Sequence, residues 1–220
     1  MNFLFSLIDD PIELKEDAVN VLVIERHTSY YKVAMDLYNQ CNKVDSGVVL
    51  SKDNKEIDIS KKVEFVTSIV PFDINKKSLV SKLISQLKEQ AVNEYYVESC
   101  EIVSAIQSYI ATVADALTCD VDFDEIDVSQ LFKCANIRLS NDSDSLCDMI
   151  IDYCRSVVAI EGDKLFIFLG LGNYIDESDY CMFADNMQSN SFKVLMIENA
   201  VREFGSEVNT IIIDQDNCVI

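Results

Sequence analysis

Residues 19–25, VNVLVIE, form an almost unbroken apolar and β-branched run, the pattern of a strand buried on both faces. The segment 29–40, SYYKVAMDLYNQ, then follows a helical period and predicts a helix with Tyr30, Val33, Ala34, Leu37 and Tyr38 along its inner side. A strand running into a helix is the first half of a βαβ unit. Ahead of it, residues 1–15 read as a hairpin, because FLFSLI and PIELK flank the turn formers Asp9-Asp10-Pro11. Residues 48–70 hold two or three further strands, VEFVTSIV among them.

From Ser78 to Leu117 the period becomes helical. Leu79, Leu83, Leu87 and Ala91 mark one stripe, and Ile102, Ile106, Tyr109, Ile110, Val113 and Leu117 mark another. The stretch contains no Gly or Pro and is too long for one ordinary helix, so it predicts two long antiparallel helices or one long helix broken near Asn93–Tyr96. Asp127-x-x-Gln130 resembles a capping box opening a short helix, and Ser143 or Asp144 is placed to cap another that runs through Val158.

After Gly162 the short apolar runs return as KLFIFLG, KVLMIE and TIIID, the first two separated by a polar helical stretch at about 177–190. That spacing predicts right-handed crossovers and a mainly parallel sheet. The fold class is therefore α/β, with residues 1–72 and 160–220 forming the head and 73–159 an inserted α-helical arm. A chain of 220 residues suits one domain carrying such an insertion.

Composition narrows the function classes. About half the residues are apolar, enough for a substantial core, yet no window approaches the run of about 20 apolar residues that spans a bilayer. The opening MNFLFSLIDDPIELKED lacks a basic leader segment, so no signal peptide and a cytoplasmic location are expected. The eight cysteines include no C-x-x-C pair and read as small buried hydrophobes in a reducing compartment. The formal charge of −20 argues against nonspecific binding of nucleic acid or anionic lipid by the chain as a whole, while leaving room for a local basic patch.

Catalytic machinery is hard to assemble from these residues. The first strand ends in Glu25-Arg26-His27-Thr28-Ser29, without the glycines that let backbone N–H groups wrap a phosphate, and no G-x-x-x-x-G-K-[ST] occurs. Gly170-Leu171-Gly172 follows a strand, but Ile175 breaks G-x-G-x-x-G, which leaves a strand-end turn. His27, the sole histidine, has no nucleophile motif beside it and is read as capping or packing at the strand's end.

Two charge features remain. In Asp120-Val121-Asp122-Phe123-Asp124-Glu125-Ile126-Asp127, five of eight residues are acidic. By spacing the run is either a solvated acidic loop or a Ca²⁺ site, and it is not an EF-hand, since Glu125 and Leu131 stand where Gly and Glu are needed. The basic residues are few. Arg26 and Lys32 flank the end of the first strand, Lys52, Lys55, Lys61 and Lys62 follow, Lys76, Lys77, Lys82 and Lys88 open the arm, and Lys133 and Arg138 come after the acidic run. Each alone reads as solvated charge. With no aromatic–basic alternation along the chain, any DNA contact is expected through phosphates and shape.

Taken together, MNFLFSLIDDPIEL, the strand VLVIE with Lys32 seven residues after Glu25, the junction Pro71-Phe72-Asp73-Ile74-Asn75, DFDEI followed by QLFK, KLFIFLGLGNYI, VLMIE and the terminal IIIDQDNCVI resemble the small adaptation protein of type II-A CRISPR systems, the Csn-two family. The resemblance implies an α/β head related to P-loop ATPases but without a working nucleotide site, and a helical leg. It implies a non-catalytic homotetramer whose ring encircles double-stranded DNA from its ends, independently of sequence. It further implies Ca²⁺ held by acidic residues, and service in spacer acquisition with the CRISPR integrase proteins and the type II effector nuclease. Carried onto this chain, Asp122, Asp124 and Glu125 are the metal candidates, with Asp120 and Asp127 adjacent. Lys32, Lys133 and Arg138 fall at positions that are basic in similar proteins, and Arg26, Lys52 and Lys55 complete the DNA-binding candidates. Two rivals are a degenerate nucleotide-hydrolysing enzyme on the same head and a protein-interaction scaffold that never touches DNA.

Overall fold

All six residues of the strand Val19–Ile24 are buried, as an apolar run in the middle of a parallel sheet requires. The computed structural model describes residues 1–140, 143, 145–202 and 208–220. In chain order the elements are β1 (Asn2–Leu4), β2 (Ile12–Glu13), β3 (Val19–Ile24), α1 (His27–Cys41), β4 (Val49–Lys52), β5 (Lys55–Glu56), α2 (Ile59–Lys62), β6 (Val63–Val66), α3 (Lys77–Asn93), α4 (Tyr96–Ala114), α5 (Val128–Cys134), α6 (Leu146–Glu161), β7 (Leu165–Leu169), α7 (Glu177–Ser189), β8 (Lys193–Glu198) and β9 (Val208–Ile213). A short 3₁₀ turn, Leu171–Asn173, follows β7.

The chain divides into two compact units, Met1–Phe72 with Asn141–Ile220, and Asp73–Ser140. The first holds a five-stranded sheet in the order β6-β7-β8-β3-β9 with every pairing parallel, and a four-stranded antiparallel sheet in the order β2-β1-β4-β5. Alternation along the parallel strands sends Leu22, Ile24, Leu165, Ile167, Leu195 and Ile197 into one core, which they share with Phe3 and Leu50 of the small sheet, Phe5 just past β1, and Val33 and Leu37 of α1. On the other set of positions Phe168 meets Phe183 of α7 edge-on at 5.9 Å. Asn20 is a polar residue inside this apolar strand, and its amide is satisfied. Its Oδ1 accepts from Lys15 N at 2.8 Å, and its Nδ2 donates to Lys15 O at 2.9 Å and Val194 O at 3.1 Å.

The expected end of the insertion at residue 159 moves to Ser140, because α6 belongs with the α/β unit. Six of its side chains are buried, Cys147, Ile150, Ile151, Tyr153, Cys154 and Val157. Tyr153 stacks edge-on against Phe72 at 5.4 Å and donates its hydroxyl to Glu64 of β6. The cap of α6 is Ser145, whose Oγ accepts from Asp148 N at 3.1 Å and donates to Asp148 Oδ2 at 2.7 Å, one or two residues beyond the expected caps. Ser143 instead donates to Asp152 at 2.7 Å, and Asp144 lies outside the described residues.

The second unit is helical. The break expected near Asn93–Tyr96 falls between α3 and α4, where Ser99 Oγ donates to Ala91 O at 2.9 Å across the turn. Its core is thin: α3 buries only Leu79 and Ala91, and α4 and α5 bury nothing. No described helix is long and apolar enough to cross a membrane.

Candidate nucleic-acid interface

In a parallel sheet, ligands gather beyond the carboxyl ends of the strands. The turn after β3 is built without glycine, and α1 starts on Arg26 with no side-chain cap. His27, expected to cap or pack, is instead the exposed first residue of α1. Gly170 fulfils the expected turn role. Its φ of +67° is left-handed, and its N–H donates to Ile197 O at 2.9 Å. This turn folds over Glu198, the last residue of β8, which is fully buried. Glu198 Oε1 accepts from Gly172 N at 2.9 Å, while Oε2 has no hydrogen-bond partner among the described residues. Burial pushes this carboxyl up to about 7, against the pull of the Gly172 N–H and the Arg202 guanidinium. Arg202 itself donates to Asn173 Oδ1 at 2.7 Å. The run KVLMIE predicts the strand and is silent on its last residue, so nothing in the sequence signals this burial.

The basic candidates lie in both units. In the first, Arg26 and Lys32 are exposed at the start of α1. Lys52 and Lys55 face one another across the β4–β5 hairpin, whose turn is made by Asp53 and Asn54 at φ +52° and +59°. Lys52 is held by Glu16 at 2.6 Å, which offsets the repulsion that two opposed cations bring. In the second unit, Lys133 is exposed in the last turn of α5, and Arg138 is exposed beyond the left-handed turn at Asn136.

The acidic candidates do not converge. Asp120, Asp122, Asp124 and Glu125 lie in irregular, exposed chain, and Asp122 Oδ1 accepts from Phe123 N at 2.9 Å. Asp127 is already committed. Its Oδ1 caps α5 by accepting from Ser129 N at 2.8 Å, and its Oδ2 accepts from Lys88 at 2.6 Å. Those hydrogen bonds and the Lys88 charge hold its carboxyl well below the usual range. Among the described residues no three His, Cys, Asp or Glu side chains gather to hold a metal ion. Ca²⁺ takes six to eight oxygens at about 2.3–2.6 Å, and this segment as placed in one chain does not supply them.

The cysteines also depart from expectation. All eight are free, and Cys147 and Cys154 are buried on one side of α6, but Cys100, Cys119, Cys134, Cys181 and Cys218 are exposed. Cys147 and Cys154 sit seven residues apart and so share the inner face of their helix, whereas Cys100 and Cys134 belong to helices that bury nothing.

A glycine-free α/β sheet carrying an inserted helical unit thus defines the class of protein. Residues 40–217 match the sequence model of the family described as CRISPR-associated protein (Cas_Csn2), and the chain belongs to that family. It is similar to the CRISPR-associated protein Csn2 of Streptococcus agalactiae, 21% identical over 88% of this chain and 87% of the relative. The CRISPR-associated protein Csn2 of Enterococcus faecalis is 23% identical over 90% of this chain and 89% of its own. Among solved structures, Stu0660 of Streptococcus thermophilus matches with a TM-score of 0.59 at 13% identity, over 97% of this chain and 75% of that one, a likeness of fold.

Proposed function

We propose that this chain works in CRISPR adaptation as a homotetrameric ring that binds double-stranded DNA from its ends, by phosphate contacts and without catalysis. The observation that carries the reading is α4. It is a 19-residue, predominantly apolar helix with no buried residue in the single chain. Ile102, Tyr109 and Val113 are 53%, 70% and 49% exposed, at a spacing that puts them along one side. A surface of this kind marks an interface between protein chains. Copies closing around a hole would repeat around it each exposed cation that faces inward, the candidates being Arg26, Lys32 and Lys55 of the first unit and Lys133 and Arg138 of the second. Acidic groups pointing outward would be screened within about 8–10 Å at ordinary salt.

Grip on a duplex of this kind ignores sequence and weakens steeply with salt as counterions are released. The integrase proteins and the effector nuclease are the partners such a ring would serve. Nucleotide hydrolysis is not part of the reading, because the turn from β3 into α1 offers exposed Arg26 and His27 where a phosphate cradle needs glycine. Ca²⁺ enters as an expectation of the family resemblance and has least support in the placement of Asp120 to Asp127.

Mass in solution, measured with Ca²⁺ and with EGTA, tests the assembly, and retention of linear against closed circular duplex tests threading. A monomer under both conditions removes the ring. Equal retention of the two DNA forms removes loading from ends. A tetramer indifferent to EGTA removes calcium and leaves the rest.

A further inference from the structure

The helix α1 presents a face that the chain's periodicity does not reveal. Thr28, Tyr31, Lys32, Met35 and Tyr38 recur at the three- and four-residue spacing of one helical stripe. All five are exposed, with Tyr31 at 67% and Tyr38 at 52%. Tyr38 was expected on the inner side, but the helix buries Ser29, Val33 and Leu37 and turns Tyr38 outward. Read linearly, the two tyrosines and the lysine are no alternation. Wound at 1.5 Å per residue, they become two rings about 10 Å apart along one face with a cation beside the first.

Charge selects the occupant. The chain carries 38 acidic residues against 18 basic, so most of its surface repels a polyanion. Between Arg26 and Cys41 every exposed side chain is apolar, neutral polar, His27 or a cation. The single acid in that stretch, Asp36, is half-buried, with its Oδ2 accepting from Ser6 Oγ at 3.0 Å. Arg26 and Lys32 are exposed at the end where the stripe begins. Aromatic rings set beside cations, on a helix whose own residues expose no acid, are the elements that hold single-stranded nucleic acid. Bases stack on the rings whatever their sequence, and the cations take the phosphates.

We propose that the Tyr31–Lys32–Met35–Tyr38 face of α1 binds single-stranded DNA, the unpaired bases of a frayed or overhanging duplex end stacking on Tyr31 and Tyr38 while Lys32 and Arg26 take the adjacent phosphates. The inference extends the DNA-end reading above, but its ligand is the unpaired strand, so the two can fail separately.

The probe is a fluorescein-labelled dT20 oligonucleotide, titrated by anisotropy at low salt, with a blunt duplex of equal length run in parallel. Wild-type protein is expected to bind dT20, and the double variant Tyr31→Ala/Tyr38→Ala to lose affinity by at least about tenfold, in line with the usual worth of base–aromatic stacking. Tyr31→Phe/Tyr38→Phe keeps the rings and is expected to keep the affinity. Both side chains are exposed, so neither pair of changes threatens folding. Duplex binding without dT20 binding overturns the inference and leaves the ring reading standing. Binding of dT20 without duplex binding does the reverse. Unchanged dT20 affinity in the alanine variant overturns it, and a simultaneous shift of that variant's mass in solution would assign the stripe to a protein interface instead.

Discussion

The side-chain amide of Asn75 holds both main-chain groups of Leu139. Nδ2 donates to Leu139 O at 3.2 Å and Oδ1 accepts from Leu139 N at 2.8 Å. These residues lie close to the two ends of the helical unit, so one side chain ties together the irregular segments by which the chain enters and leaves it. Asn75→Ala leaves a half-buried N–H and C=O without that partner, at a cost of about 1–3 kcal/mol. The loss should fall on the second unit. Hydrogen exchange of amides in α3, α4 and α5 is expected to quicken while β3 and β8 keep their protection. Uniform loss across both units would mean the clamp stabilises something other than the insertion.

Glu198 gives a pH dependence with a defined sign. Its carboxyl titrates about 7 in the folded chain against an ordinary 4.5. Below about 4.5 both folded and unfolded states keep the proton, and the group costs nothing. Between 4.5 and 7 the unfolded chain releases a proton that the folded chain retains, so stability falls as pH rises. Above 7 the loss is complete, at roughly 3 kcal/mol. Glu198→Gln removes the titration. In urea denaturation from pH 4.5 to 8, the variant should gain on wild type steadily through that window and then hold a constant lead. Parallel curves would show that Glu198 is not held neutral by its burial.

Periodicity made β3, α1, the break between α3 and α4, and the return to strands after Gly162 legible, because each depends on a local pattern. What it could not convey was which side of a local element meets another. Tyr38 fits the inner stripe of α1 as well as Leu37 does, and only the docking angle of the helix decides between them. The boundary at residue 159 failed for the same reason, since α6 is as helical as the arm before it and only its tertiary packing, with six side chains buried and Tyr153 reaching Phe72 and Glu64, assigns it to the α/β unit. Asp127 was legible as a cap and as an acid, but Lys88, 39 residues earlier, was not legible as its partner. Glu198 was the least legible of all, because its burial depends on a turn 26 residues away in sequence.

The side of α4 that carries Ile102 and Tyr109 offers a direct lever on assembly. Both residues are exposed in the single chain, so a charge there costs the protomer little. In an interface between chains that each carry −20, the same charge is buried, unpaired and repelled. Ile102→Glu/Tyr109→Glu is therefore expected to reduce the mass in solution to that of a smaller species while the far-ultraviolet circular dichroism stays unchanged. A variant of wild-type mass would move the interface off this helix.

Lys52 and Glu16 provide the sharpest test of which cations reach DNA. Glu16 holds the Lys52 ammonium at 2.6 Å, and Lys55, directly across the hairpin, is exposed. The Lys52 charge raises no net positive potential while Glu16 stays beside it, and its carboxylate is held below the usual range by that same pair. If the hairpin faces the duplex, Lys52→Ala should alter affinity less than Lys55→Ala does. Glu16→Ala should strengthen binding, because it frees a cation and removes an anion at one stroke. The salt dependence carries the sign as well: each further phosphate that the protein neutralises steepens the slope of log K against log salt by about 0.9. Glu16→Ala is thus expected to bind duplex more tightly at low salt and to lose more of that affinity as salt rises. An unchanged slope in Glu16→Ala, together with an unchanged slope in Lys55→Ala, would place this hairpin outside the DNA path and leave Arg26, Lys32, Lys133 and Arg138 as the residues to vary.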